Sequence, residues 1–362
     1  MKQLCNLCLL AFLLPIAVWA TNPKFDGKYT KEKNLKKEFS VNSDALLKVD
    51  NSYGNIDIVS WNENRIVIEV LIRTNGNDEE KVQEKLNDID VDFSGSASMV
   101  TAKTIFKDKK NSNWSWWGGS NKNVHMEINY TIKMPITNSV DLNNDYGSIT
   151  LNELKGVAKI NCDYGQINIG KLEADNNYLN FDYTKNSTIG YMKSGKINAD
   201  YSSFSIDKTE NIELNADYTH SEINEAGYVN YNCDYGKLEL GSIGKLVGRG
   251  DYIPVKLKKL TASLNINTDY GSVTVDRMTS SVKEVTINSD YAGIKLGYDS
   301  NCSFNFYIDL SYASLDGENN LEVMKTAKDN YSKTYSGYYG NKDSGNTITI
   351  NSDYGGVTLQ KM

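Results

Sequence analysis

Carboxylates, thiols, imidazoles and indoles are the side chains here whose type and spacing could do chemistry. Aspartates recur at Asp145, Asp163, Asp182, Asp200, Asp217, Asp234, Asp251, Asp269, Asp290 and Asp353. Two neighbours in such a column could stand about 5 Å apart, near the separation of a retaining glycosidase, or could hold a cation. An active site, however, breaks a repeat locally, and these residues are the repeat. The spaced G-G-x-G-x-D pattern of calcium-binding β-rolls is also missing. The column is therefore expected to be structural, each carboxylate accepting backbone N–H bonds at a corner. The one charged irregularity of the repeat is Arg249 with Lys256, at the deviant stretch 248–254.

Only two histidines occur, His125 and His220, and three cysteines follow residue 20: Cys162, Cys233 and Cys302. No His-x-x-x-His, CxxC, GxSxG or Walker pattern joins them. No catalytic residue, metal site or cofactor is expected. Cys162 and Cys233 share a column four repeats apart, roughly 19 Å at β-strand spacing, beyond the 7 Å or so a disulfide allows between Cα atoms. They read as small buried apolar side chains. Trp114, Trp116 and Trp117 stand in a Gly/Ser/Asn loop flanked by lysines, read as a hairpin connection. Aromatic faces stack on sugars and anchor interfaces, which makes the three a candidate ligand-binding surface. The alternative is that the loop folds back and buries them.

What must position these residues is a repeat. Aligned on tyrosine, it falls at Tyr146, Tyr164, Tyr183, Tyr201, Tyr218, Tyr235, Tyr252, Tyr270, Tyr291, Tyr312 and Tyr354, mostly in steps of 17–21 residues. Leu142, Ile160, Leu179 and Ile197 precede the tyrosine by four, and Cys162, Ala199 and Ala216 by two. Asn161 and Asp163 represent the opposite, polar parity. Strand alternation then puts the tyrosine on the inward, apolar side. Glycine often follows it, and the apolar phase slips to plus three and plus five (Ile167 with Ile169), which calls for a corner. About 18 residues are too few for a βαβ unit, so each repeat is one coil of an all-β parallel β-helix with Asn and Tyr ladders.

The remaining chain supplies the ends. Residues 1–20 read as a signal peptide, with Lys2, the apolar run 9–18 and a small-residue cleavage site; residues 21–39 read as a loose, lysine-rich leader. Residues 40–136 are expected to form a small N-terminal α+β cap region with one helix near 77–89, where Val82, Leu86 and Ile89 share a face. Residues 45–58 within it copy the repeat imperfectly. The solenoid occupies 137–362, interrupted by an insertion at 318–346 in which Val323 and Ala327 could support a helical turn. The whole chain carries 39 basic and 46 acidic residues. That balance argues against a nucleic-acid partner, which needs a basic face. No transmembrane segment is expected after residue 20.

An exported chain with V-D-N-x-x-G-N-I-D-I-x-x-W at 49–61, an E-E-K-V-x-x-K-L helix and later D-Y-G-x-I-x-I repeats resembles the putative-adhesin domain family of bacterial β-strand-repeat proteins, a domain of unknown function. That resemblance implies a right-handed parallel β-helix and brings no catalytic residues with it. The expectation is a non-enzymatic, exported, adhesin-like binding or structural module of the cell envelope, periplasmic or on the surface of a Gram-negative bacterium. Its partner would be an envelope or surface glycan or protein. The alternative is a carbohydrate-active β-helix enzyme, a polysaccharide lyase or hydrolase.

Overall fold

The computed structural model describes residues 25–107 and 124–362. The expected signal peptide and Trp114, Trp116 and Trp117 lie outside the described residues. One coil shows how the repeat folds. The strand Ala158–Asp163 buries Ala158, Ile160 and Cys162, and after the Tyr164 corner Gln166–Leu172 buries Ile167, Ile169 and Leu172. Equivalent positions pair in parallel with the coils on either side: Asn161 lies opposite both Asn143 and Asn180, and Ile167 opposite Ile149. Because every coil repeats the same inward positions, the side chains stack into one continuous apolar core. The architecture is an all-β parallel β-helix. In mid-solenoid the strand after one tyrosine runs on into the strand before the next, as in Ser203–Asn215 and Lys237–Asp251.

At the N-terminal end the first coil lies within the segment that also forms its cap. Strands β1 (Tyr29–Ser40), β2 (Leu46–Ser52), β3 (Ile56–Trp61) and β4 (Arg65–Gly76) precede helix α1 (Glu79–Asp88). After it come β5 (Ile89–Gly95), β6 (Met99–Phe106), β7 (Val124–Pro135), β8 (Ser139–Asp145) and β9 (Ser148–Leu154). The imperfect copy is a true coil: β2 pairs in parallel with β8 and β3 with β9. Its other side is covered by β6 on β2 and β7 on β3. Thus β6 and β7 continue two different ladders. The hairpin loop expected between them lies outside the described residues.

The lysine-rich segment expected to be loose is β1, antiparallel to all of β4. Its alternation keeps Leu35 and Phe39 packed against the core, while Lys31 and Lys36 reach Glu79 and Glu69, each at 2.6 Å. Helix α1 starts where Asp78 accepts a hydrogen bond from the Lys81 amide at 3.2 Å. It buries Val82 and Leu86.

The C-terminal end closes out of sequence order. The strand Glu284–Asp290 pairs with Thr347–Asp353, which pairs in turn with Phe304–Ser311. The last coil is thus inserted between the Tyr291 and Tyr312 coils. Ser332–Tyr339 then covers Phe304–Ser311 in antiparallel fashion, and Glu322–Lys328 covers Ser332–Tyr339. The helical turn expected at Val323 and Ala327 is a strand instead. Its hairpin is set by Asp329, whose carboxylate accepts the Tyr331 and Ser332 amides, each at 2.9 Å.

Candidate functional site: an exposed tyrosine ridge

The corner tyrosines point outward, which corrects the inward assignment. Strand parity stops at the tyrosine because the residue is itself the corner: φ lies between 51° and 66° at every one from Tyr53 to Tyr354. That left-handed region is uncommon for a residue other than Gly, Asn or Asp and costs of order 1–2 kcal/mol. Two contacts offset it. From Tyr53 to Tyr291 each corner amide donates to the aspartate carbonyl of the adjacent coil, as Tyr164 does to Asp182 and Tyr201 to Asp217, both at 3.0 Å. Tyr354 donates to the Ser311 carbonyl instead, and Tyr312 to that of Tyr331. Each ring also stacks on its neighbours.

The stack runs Tyr53, Tyr146, Tyr164, Tyr183, Tyr201, Tyr218, Tyr235, Tyr252, Tyr270, Tyr291, Tyr354, Tyr312. Ring centroids are 4.6–5.2 Å apart and planes within 10° of parallel. Eleven such steps make a ridge roughly 50 Å long at strand spacing. Phe106 of β6 meets Tyr53 edge-on at one end, and Tyr331 stacks on Tyr312 at 5.0 Å at the other. The rings from Tyr146 onward are about half exposed, 47–55 %. Their faces are taken by each other, so the ridge presents ring edges and hydroxyls. Partial desolvation, then the neighbouring tyrosines, hold the Tyr183, Tyr235 and Tyr291 hydroxyls above their usual pKa.

One flank of the ridge is the aspartate column. Its carboxylates accept backbone N–H bonds as expected, but from the next coil rather than from their own corner. Asp182 donates to Asp163 Oδ1 (3.3 Å), Asp234 to Asp217 (3.0 Å) and Asp251 to Asp234 (2.7 Å). Burial raises the carboxyl pKa of Asp145, Asp163 and Asp290, and neighbouring aspartates add to it. Glycine on the other flank is there for space. A Cβ on Gly165 would sit 1.9 Å from the Gly147 carbonyl oxygen, and one on Gly147 equally close to that of Gly54.

The other candidates are scattered. Cys162, Cys233 and Cys302 are free and buried, and burial pushes the Cys162 and Cys233 thiols up to about 12. His220 lies 2.8 Å from Glu239, and His125 is on the exposed side of β7. Among the described residues no three His, Cys, Asp or Glu side chains cluster as metal ligands, and no helix is long and apolar enough to cross a membrane.

No family model matches the sequence, and no curated protein matches it. Solved structures do. One from Parabacteroides distasonis, described as a "putative adhesin", is 13% identical over 93% of this chain and 98% of its own, with a TM-score of 0.31. A second "putative adhesin", from Parabacteroides merdae, is 9% identical over 91% and 96%, TM-score 0.33. A "putative cell adhesion protein" from Clostridium sporogenes is 11% identical over 92% and 100%, TM-score 0.19.

Proposed function

We propose that the chain is a non-enzymatic, exported, adhesin-like β-helix that makes contact at the cell envelope through its tyrosine ridge. The observation that supports this reading is the ridge itself: twelve mutually stacked tyrosines on strained corners, eleven of them half open to solvent along the solenoid. Tyrosine gives large, rigid, amphipathic contact area at low entropic cost, the property that enriches it at interfaces. Because neighbouring rings occupy the faces, an elongated partner touching many ring edges and hydroxyls suits the ridge better than one stacked sugar. A surface glycan or an extended protein segment has that form.

The test is a screen of purified protein against envelope glycans and envelope proteins, with product analysis of every glycan bound. It is paired with a variant carrying Tyr201→Asn, Tyr218→Asn and Tyr235→Asn, since asparagine tolerates the left-handed corner. The variant should stay folded and lose most binding. Retained binding by a folded variant would reject the ridge, and glycan turnover would favour the carbohydrate-active enzyme instead.

A further inference from the structure

On the sheet face that precedes the tyrosine corners, a second feature breaks the repeat. The outward column three residues before each tyrosine is asparagine from Asn143 to Asn351 in ten stacked coils, with Arg249 as its one exception. Asn161 bonds Asn143 at 2.6 Å, Asn215 bonds Asn198 at 2.9 Å and Asn288 bonds Asn267 at 2.8 Å. At Arg249 this ladder is replaced by a single bond from the guanidinium Nε to Asn232 Oδ1 at 2.7 Å. Among the described residues no carboxylate forms an ion pair with Arg249. The nearby Glu213 is held by Lys196 at 2.6 Å.

The wall is also dished there. Inward positions in this coil are Gly248 and Gly250, in register with Tyr231 and Cys233 of the preceding one. The Tyr231 ring fills the space that a Gly248 side chain would need: a Cβ would lie 2.2 Å from it. Outside, a concavity of about 430 Å³ opens over four coils around Arg249, with Asn215, Asn230, Asn232, Asn265 and Asn267 in its lining and Glu213, neutralised by Lys196, at its edge.

We infer that this dish is a binding site for a carboxylate-bearing glycan, the uncommitted guanidinium nitrogens of Arg249 taking the carboxylate and the surrounding amides the hydroxyls. A guanidinium fork matches a carboxylate in two parallel bonds. Asparagine offers both donors and an acceptor, which matches hydroxyls that do both. An acidic peptide suits the dish less well, because the backbone groups of these strands are already paired within the ladders and leave no edge for strand addition. Lys256 falls beyond the Tyr252 corner, on the following ladder, and is not part of the site. The inference does not rest on the tyrosine ridge.

The probes are oligogalacturonate, its methyl-esterified form and poly-glutamate, titrated calorimetrically into the wild-type protein. Two variants accompany it: Arg249→Asn, which restores the column, and Arg249→Lys, which keeps the charge without the fork. Oligogalacturonate should bind about tenfold or more tightly than either other probe, as a charge-assisted pair implies. Arg249→Asn should erase that preference at unchanged melting temperature, and Arg249→Lys should fall between. Equal binding of acid and ester, binding of poly-glutamate as tight as that of the uronate, undiminished binding by Arg249→Asn, or no binding at millimolar uronate would each overturn the assignment.

Discussion

Substitution at Tyr201 separates the ridge from any inward or idle tyrosine. Its ring is 51 % exposed and stacks on Tyr183 at 5.1 Å and Tyr218 at 4.8 Å. Half of a tyrosine's surface is about 100 Å², worth about 2.5 kcal/mol at 25 cal/mol per Å² before correction for a compact unfolded state. Tyr201→Phe keeps the stack and should change stability by less than about 0.5 kcal/mol. Tyr201→Ala loses the stack while keeping the strained corner at φ 51°, a loss of about 2 kcal/mol. Tyr201→Val should be worse than Ala by about 1 kcal/mol, although valine is more apolar, because a β-branched side chain is a genuine outlier there. Urea unfolding followed by near-ultraviolet circular dichroism measures the order. A loss of about 3–5 kcal/mol for Ala would restore the buried assignment. Three neutral variants would refute the stack, and valine no worse than alanine would refute the left-handed corner.

The buried thiols give a pH dependence of known sign. The folded state holds Cys162 and Cys233 protonated up to about 12, whereas an unfolded thiol ionises near 8.5. Unfolding therefore releases protons above that value, and stability should fall between pH 8.5 and 10 by about 1.5 kcal/mol per thiol. A Cys162→Ala, Cys233→Ala variant should show a flatter profile, and identical profiles would contradict the burial. Asp290→Asn should raise the melting temperature, more at low salt, because desolvation and then the crowding of Asp269 and Asp353 penalise its charge; a lower melting temperature would show that the charge itself is needed. The aspartate column should also be indifferent to metal: chelator should leave the melting temperature unchanged, and an upward shift with millimolar calcium would make the column a cation site.

Much of this architecture could be read from residue spacing. Ile160, Cys162, Ile167 and Ile169 fall on the inward positions that their alternation implies. The tyrosine orientation could not be read that way, because parity holds only within a strand and the left-handed residue is one that rarely adopts such a corner. The lysines of β1 hid its alternation, since long basic side chains suit a strand edge and a loose leader equally well. Stacking order at the C-terminal end was equally hidden. Asn288 and Ser289 precede Tyr291 just as Asn351 and Ser352 precede Tyr354, so near-identical coils do not encode which lies on which. Arg249 stood out from its column at once. The dish around it is lined from four coils at once, which only the structure brings together.

Hydroxyl-radical footprinting, with and without a partner recovered from the envelope screen, tests the central claim most directly. In the free protein the corner tyrosines should be modified quickly, while the buried Tyr130, Tyr231 and Tyr298 stay protected. The bound partner should then shield a contiguous run of corner tyrosines, such as Tyr183 to Tyr252. Slow modification of the free corner rings, or shielding that falls elsewhere and leaves the whole ridge reactive, would contradict the account.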